Sequence, residues 1–432
     1  MFKTFFITIV ICGLAAAQDT SAHHHDMAGM KMEMTPAGDY LMNLASGTSL
    51  NPKSWPMPMI MVHPGGWQLM FMGVAFIVDT QQSGPRAADK FYSANWGMLS
   101  AEHPLGKGSV MFQTMLSLEP ATVTNRRYPL LFQTGETAYG TPLVDAQHPH
   151  DFVMSLGVHY ARPVGENTIV SLYFAPVGDP ALGPVAYPHR ASAEELPQAT
   201  ISHHLQDSTH IANEVLTAGI QYKKVRVEAS GFYGTEPDES RWNIDYGPIN
   251  SWSTRVSVFP SANWMGQFSI GRLARPERQE QGDSVRTTAS LHYTRPLAGG
   301  AWSSSFIWGR NHKLLDGTSV DSFLGETVAP IGKRNFVTGR VEVVDKDELF
   351  KNIQVITGFV NPLPVPVFAI SHAFRIGAYT AGYTRDFKVF DNVQTGIGAN
   401  VTAYHVPDAI QRFYGRHPYG VNVFLRVRLR MQ

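Results

Sequence analysis

The chain has 432 residues, with 35 Lys and Arg against 35 Asp and Glu, and a single cysteine. Charged residues make up 16% of the sequence, below the roughly 25% that is usual for soluble domains. Zero net charge argues against nucleic acid as a partner, because such proteins need a basic surface to meet phosphate. One cysteine excludes a disulfide framework. The low charge favours a chain with little water-facing surface.

The amino terminus has the features of a secretory signal peptide. Lys3 precedes an apolar run over 5–14, and Ala15-Ala16-Ala17 supplies the small residues of a cleavage site. The run is too short to span a bilayer, and no later stretch has 18 consecutive apolar residues. We therefore predict a signal peptide over 1–17, with cleavage after Ala22 as the alternative. The exported chain is then either soluble or a membrane β-barrel.

The segment after this leader is rich in methionine and histidine. Ten of the 17 methionines lie between positions 27 and 72. Thioether and imidazole groups suit copper, and thioethers favour Cu(I). We predict a disordered, copper-binding periplasmic arm and linker over 18–66; the alternative is a low-complexity leader, followed by methionines that pack as apolar side chains. The predicted ligands are His23, His24, His25, Met27, Met30, Met32 and Met34, with Met57, Met59, Met61 and His63 as weaker candidates.

From about position 67 onward, apolar and polar residues alternate in short segments separated by Gly, Pro, Asn and Asp. A period of two residues predicts β-strands. In the last segment the apolar residues occupy odd positions from Val421 to Met431, and three arginines occupy even positions. An arginine facing lipid near the bilayer midplane costs about 2–4 kcal/mol. We therefore expect the odd positions to face lipid and the arginines to face the interior.

Sixteen strands are predicted, and their connections alternate in length. Connections after even-numbered strands are short, whereas those after odd-numbered strands are mostly long, as at 120–150 and 177–212. This alternation is typical of transmembrane barrels, with short periplasmic turns and long external loops. We predict an all-β fold, a single antiparallel transmembrane β-barrel over 67–432 in the bacterial outer membrane; a soluble β-protein is the alternative. The predicted strands are 67–79, 91–102, 108–119, 151–162, 167–176, 213–223, 224–235, 251–259, 264–273, 283–296, 300–310, 335–345, 352–361, 373–385, 391–405 and 418–431.

Two further groups of side chains could bind ions. Seven of the 17 histidines lie between positions 148 and 210, largely in long loops. Imidazoles and carboxylates at short spacing can form a divalent-metal site if the loops fold together; otherwise they satisfy one another in the barrel mouth. The loop candidates are His148, His150, Asp151, His203, His204, Asp207 and His210. The predicted pore lining is Arg226, Glu228, Arg340, Glu342, Arg375, Arg426, Arg428 and Arg430.

Four strings of the mature chain carry a resemblance to known proteins. They are SGTSLNP at 46–52, DAQHPHD at 145–151, FAPVGDP at 174–180 and TEPDESRW at 235–242. They resemble those of a family of exported bacterial proteins without an assigned activity, whose members often accompany metal-resistance functions. Separately, a Met/His-rich segment before a barrel resembles the layout of outer-membrane copper-resistance proteins of the B type. Both resemblances imply a role with metals.

The leading functional hypothesis is copper binding, tolerance or efflux by a barrel embedded in outer-membrane lipid. It implies a copper ion as the bound metal, no organic cofactor, and periplasmic copper proteins as partners. One alternative is a porin-like channel for small polar solutes, and another is a structural or surface-binding barrel. An enzyme is not predicted, because the sequence has neither a G-x-S-x-G motif nor a Gly-rich loop before a helix. The oligomeric state stays open.

Overall fold

A computed structural model of the chain describes residues 35–277, 282–350 and 373–430. Strands dominate it. They are β1 (Ile60–Val62), β2 (Gln68–Gln82), β3 (Lys90–Leu105), β4 (Gly108–Leu116), β5 (Tyr128–Ala138), β6 (Thr141–Gln147), β7 (Val153–Val164), β8 (Thr168–Gly178), β9 (Ala212–Tyr222), β10 (Val225–Tyr233), β11 (Ser251–Ser261), β12 (Trp264–Leu273), β13 (Ser284–Leu297), β14 (Gly300–Lys313), β15 (Ser319–Ile331), β16 (Asn335–Lys346), β17 (Phe374–Phe390), β18 (Val393–His405) and β19 (Tyr419–Leu429).

The helices are short. They are α1 (Pro36–Met42), α2 (Glu119–Thr122), α3 (His203–Gln206) and α4 (Gln411–Tyr414). Single 3-10 turns cover Thr124–Arg126, Tyr187–His189, Ala191–Ala193, Ser208–His210 and Asp408–Ile410. Within the part of the chain that the structure describes, no helix is long and apolar enough to cross a membrane.

Sixteen strands, all except β1, β5 and β6, form a closed antiparallel barrel. Each pairs with the next barrel strand along the chain, and β19 returns to β2, from Gly420 opposite Gln82 to Arg428 opposite Val74. β1 extends the edge of β2, and β5 and β6 form a separate hairpin. The predicted barrel fold is confirmed.

The prediction is wrong at one strand. The segment 319–331, predicted as part of a long loop, is β15, which pairs with β14 and β16. Its outward positions include the small or polar residues Gly325, Thr327 and Ala329, so the sequence lacks the apolar alternation that marks its neighbours. The predicted strand 352–361 lies outside the described residues, and β16 pairs directly with β17.

The two faces of the barrel wall differ in polarity. In β19, Val423 is exposed on the outer face while Arg426 and Arg428 are buried on the inner face. Large exposed apolar residues recur on the outer face of other strands, for example Phe306 and Ile397. An apolar exterior over a polar interior is the pattern of a barrel that sits in lipid.

The connections alternate in length around the barrel. At one end, the short-turn end, they are 106–107, 165–167, 223–224, 262–263, 298–299, 332–334 and 391–392. At the other, the long-loop end, they include 117–152 and 179–211. The start of β2 and the end of β19 both lie at the short-turn end.

Among the described residues, three segments fold into the barrel. The N-terminal plug, 35–59, enters at the short-turn end, where α1 packs against β3, β4 and β7 and the Tyr40 hydroxyl lies 2.9 Å from Ser171 Oγ. The hairpin loop, 117–152, carries α2, β5 and β6 into the long-loop end. The crossing segment, 179–211, lies in the lumen, where it contacts β14 and β15 and pairs with β19.

The plug changes the predicted division of the chain. Thr35 caps α1 by accepting a hydrogen bond from the Gly38 N–H (3.0 Å), and Leu41 and Met42 of that helix are buried. Residues from Thr35 onward therefore form one compact unit with the barrel, whereas the sequence predicts a separate arm and linker over 18–66. The short apolar face of α1 explains the difference, because it needs the barrel interior to be buried.

Candidate functional site

The crossing segment is held in the lumen by buried ion pairs. Arg190 donates to Asp207 (Nη1 to Oδ2, 3.0 Å) and to Glu326 on β15 (Nε to Oε1, 2.6 Å). All three side chains are fully buried. Arg340 on β16 donates to the second oxygen of Glu326 (2.9 Å). Removing such charges from water is costly unless each is paired, so this network fixes the segment in place.

A second network ties the crossing segment to the last strand. Arg426 pairs with Glu195 and with Asp386. Arg428 pairs with Glu194 (3.1 Å) and with Glu195 (3.2 Å). The glutamates come from the crossing segment and the arginines from β19, so these pairs bind the segment to the wall.

Most of the predicted pore lining faces inward. Arg226 stacks over the ring of Tyr40 in the plug (3.9 Å to the centroid), and Glu342 accepts from Ser202 Oγ (2.9 Å). Six side chains of this set are at most 5% exposed, so they line a packed interior instead of open water: Arg226, Glu228, Arg340, Glu342, Arg426 and Arg428. Arg430 is half-buried and donates to Gln394 (3.3 Å).

The prediction for Arg375 is wrong. Arg375 pairs across strands with Asp345, donates to it at 2.8 Å, and is 66% exposed. In β16 the buried positions are the even ones, including Arg340 and Glu342, so Asp345 and its partner lie on the outward side near the long-loop end. Arg375 lies on the same outward face of β17 as Tyr379 and Tyr383.

The loop histidines meet inside the long-loop end. The ring of His203 lies 5.2 Å from that of His204 and 5.4 Å from that of His210, and His150 lies 5.4 Å from His210. His148 approaches His204 at 5.7 Å. The hairpin loop and the crossing segment therefore fold together, as the metal hypothesis for these residues requires.

Carboxylates contact several of these rings. His203 Nδ1 donates to Asp207 Oδ1 (2.7 Å), and His210 Nδ1 donates to the Asp207 carbonyl (2.9 Å). His150 Nδ1 lies 3.0 Å from Glu119 Oε2. Glu119 was not predicted, because it lies 31 residues before its partner and only the folded loop brings the two together.

Burial sets the protonation of the cluster. It lowers the pKa of His148 and of His210 well below the usual 6.5, and neighbouring imidazoles lower it further. Burial opposes ionisation of Asp207, but His203 and Arg190 outweigh it and hold its pKa below the usual value. The lowered pKa values favour the neutral form of His148 and His210 and the charged form of Asp207, which are the forms that bind metals.

The remaining metal candidates are Asp151, the residues between positions 57 and 63, and those between positions 23 and 34. Asp151 is buried beside Arg241 (3.4 Å), and burial with the nearby Asp245 and Asp238 raises its pKa well above the usual value. Met57, Met59 and Met61 are half-buried and His63 is exposed. The strongest predicted copper ligands, His23, His24, His25, Met27, Met30, Met32 and Met34, lie outside the described residues.

Methionines concentrate on the inner wall around the plug. Met57, Met59 and Met61 pack against a cluster that the sequence only partly indicates. Its buried methionines are Met42, Met70, Met72, Met98, Met111, Met115, Met154 and Met265. Those beyond position 72 are separated along the chain, and strand pairing brings them together.

Solved structures of bacterial outer-membrane proteins share this architecture. The anion-selective porin from Comamonas acidovorans superposes with a TM-score of 0.51 over 84% of this chain and 100% of the porin, at 11% identity. The chain has the fold of a porin. Salmonella typhi OmpF in complex with daunomycin (TM-score 0.48, 9% identity, 85% and 100% covered) and Pseudomonas putida OprB (0.47, 9%, 84% and 94%) are also similar. No protein-family model and no curated protein matches the sequence.

Proposed function

We propose that the protein is an outer-membrane, porin-like channel for small polar solutes that is closed in the conformation described here. The observation that carries the proposal is the contrast between the two faces of a closed sixteen-strand barrel. The outer face is apolar, whereas the inner wall carries serines, threonines and charged residues. An inner wall of this composition can be wetted, as in a water-filled pore.

The closure is due to the inserted segments. Cavities between them and the wall measure about 50, 20 and 10 Å³, which is too little for a solute with its hydration shell. The contacts that hold the crossing segment include many hydrogen bonds and ion pairs, such as Ser192 Oγ to Ser305 Oγ (2.6 Å). Water can replace polar contacts of this kind when the segment moves, so we infer that displacement of 179–211 opens the channel.

A reversible crosslink tests this proposal. In the variant Ser192→Cys/Ser305→Cys, the short distance between the two hydroxyls should allow a disulfide that locks the crossing segment to β14. Cys12, the only natural cysteine, lies in the predicted signal peptide and should not interfere. In planar bilayers, the reduced variant should conduct ions, oxidation should abolish the current, and dithiothreitol should restore it.

The single variant Ser192→Cys serves as the control, because it cannot form the crosslink. The proposal of a channel fails if neither the wild type nor the reduced variant carries current at any applied potential. If the oxidised variant conducts as well as the reduced one, the barrel conducts but the crossing segment is not its gate.

A second candidate function is the handling of soft metal ions such as copper, and the buried methionine cluster favours it. Thioethers on the inner wall next to the plug would continue a path for Cu(I) from a Met/His-rich arm. Growth under copper stress should worsen when residues 23–34 are deleted and when Met72 and Met98 are both replaced by leucine, which keeps the apolar volume. Equal copper tolerance in all strains would contradict this function.

A further inference from the structure

A cavity of about 340 Å³ opens among the loops at the long-loop end. Its lining comes from the hairpin loop, from the connection after β10 and from the segments that follow β12 and β16. Arg126 is one basic residue of this lining. The carboxylates that line it are Glu136, Glu236, Asp238, Glu239, Glu277 and Glu348. This acidic lining attracts cations.

His204 lies next to two of these carboxylates. Its Nδ1 is 3.4 Å from Glu236 Oε2 and 4.0 Å from Glu277 Oε1. One ligand atom of each of the three residues lies within 4.8 Å of the other two. Three donors at this separation can converge on a single ion that lies between them.

The imidazole of His204 is buried without a hydrogen bond of good geometry. The residue is 7% exposed, and neither ring nitrogen has a partner that meets the distance and angle requirements of a hydrogen bond. Glu236 Oε2 is also buried without one. Buried polar atoms in native proteins are nearly always satisfied, so these orphaned atoms point to a ligand.

The backbone around His204 is shaped to receive the ring. Gly135 of β5 has a φ of +120°, and a Cβ at this position would lie 2.4 Å from His204 Cε1. A side chain at position 135 would therefore displace the imidazole. His148 Nδ1 donates to the Pro149 carbonyl (3.1 Å), which directs its Nε2 towards Glu136 Oε1 at 3.0 Å.

Two basic residues moderate the charge of the site. Arg286 donates to the His204 carbonyl (2.6 Å) and acts electrostatically on Glu236 and Glu277. Lys346 acts in the same way on Glu277. The basic residues offset part of the negative charge of these carboxylates.

We propose that His204, Glu236 and Glu277 bind a divalent transition-metal ion of the Zn²⁺ type at the base of this cavity. One imidazole and two carboxylates are a ligand set that Zn²⁺ accepts. The site lies at the long-loop end, and its ligand set lacks the thioethers of the predicted copper ligands. The inference does not depend on whether the barrel conducts ions.

Zinc binding to the full-length protein in detergent micelles tests the site. Metal content after dialysis against ZnCl₂ should be one ion per chain higher for the wild type than for His204→Gln or for Glu277→Gln. Zn²⁺ should also raise the thermal unfolding midpoint of the wild type more than that of either variant. Zinc bound by the amino-terminal histidines contributes equally to the wild type and to both variants. The difference in zinc content between them therefore reports this site.

His312→Gln is the matched control, because His312 is a histidine near the long-loop end whose Nδ1 hydrogen-bonds Ser319 Oγ (3.0 Å); it should bind as much zinc as the wild type. Equal zinc content and equal thermal shifts in the wild type and in folded variants would overturn the proposal and leave His204 and Glu236 as an ion pair. Glu277 is partly exposed, so Glu277→Gln keeps the test decisive if His204→Gln does not fold.

Discussion

At the scale of single residues, the interior depends on arginines that are shared between two carboxylates. The inward direction of Arg426 could be predicted, because strand alternation fixes which face each residue joins. Its partner Glu195 could not, since it is 231 residues away in a segment without strand periodicity. The pairing of Arg190 with Glu326 could likewise not be predicted. Periodicity gives the face of a residue, and only the folded chain gives its partner.

Replacing Arg190 by methionine should destabilise the folded protein. The change leaves Asp207 and Glu326 buried without this partner, and breaking a buried pair costs about 3–5 kcal/mol. Urea unfolding in micelles, followed by tryptophan fluorescence, measures the loss. Arg310→Met is the control, because Arg310 pairs with Asp321 (2.8 Å) where it is 47% exposed; it should change stability little. Similar losses in both variants would contradict the structural role of Arg190.

At the scale of elements, strands were more predictable than the inserted segments. Fifteen of the sixteen barrel strands overlap predicted strands, whereas β15 lacks the apolar alternation on its outward side. The plug and the crossing segment bury polar residues such as Asn51 and Gln206 alongside apolar ones. In sequence, that mixture resembles a solvent-exposed loop. Its polar groups can be buried because their partners are distant along the chain, and the local sequence does not show those partners. For the loop histidines, the sequence indicated only that they could meet if the loops folded together.

Acidification should loosen the hairpin loop and the crossing segment. The pKa of His148, of His203 and of His210 is lowered by burial, so the displaced segments bind more protons than the folded ones below the usual pKa of 6.5. Stability is therefore lost as the pH falls through that range, by up to about 1.4 kcal/mol per pH unit for each histidine that stays neutral when folded. Asp207 does not contribute in this window, because its pKa lies below the usual 3.8.

Limited proteolysis of the protein in lipid vesicles checks the pH effect. Cleavage within 117–152 and 179–211 should be faster near pH 5 than near pH 7.5, with a protease active at both, while the barrel strands stay intact. The groups that face these histidines are His150, His204, Asp207, Glu119 and Glu136. The double variant His148→Gln/His210→Gln should lose much of this acid sensitivity. Equal cleavage of the wild type at both values would show that the cluster does not control the segments.

At the scale of the whole molecule, the low charge content has a structural origin. The outer face of the wall carries large exposed apolar residues, and many of the ionisable groups pair inside the barrel, as Arg255 does with Glu228 (3.0 Å). Ionisable groups on the outer side, such as Arg375, lie near the barrel ends. Composition alone predicts that little of the surface faces water. Strand alternation adds that the surface that avoids water is the outer face of the barrel.

An arginine in the middle of the outer face should prevent stable insertion into lipid. Phe306 lies in β14 and is 56% exposed; Phe306→Arg would place a charge in the hydrocarbon region, at a cost of about 2–4 kcal/mol. Folding into vesicles, followed by the gel-mobility difference between heated and unheated samples, should fall for this variant. Leu315→Arg is the matched control, because Leu315 is 68% exposed in the connection between β14 and β15, where water can solvate the charge. Equal folding of the two variants would mean that the apolar face does not contact lipid.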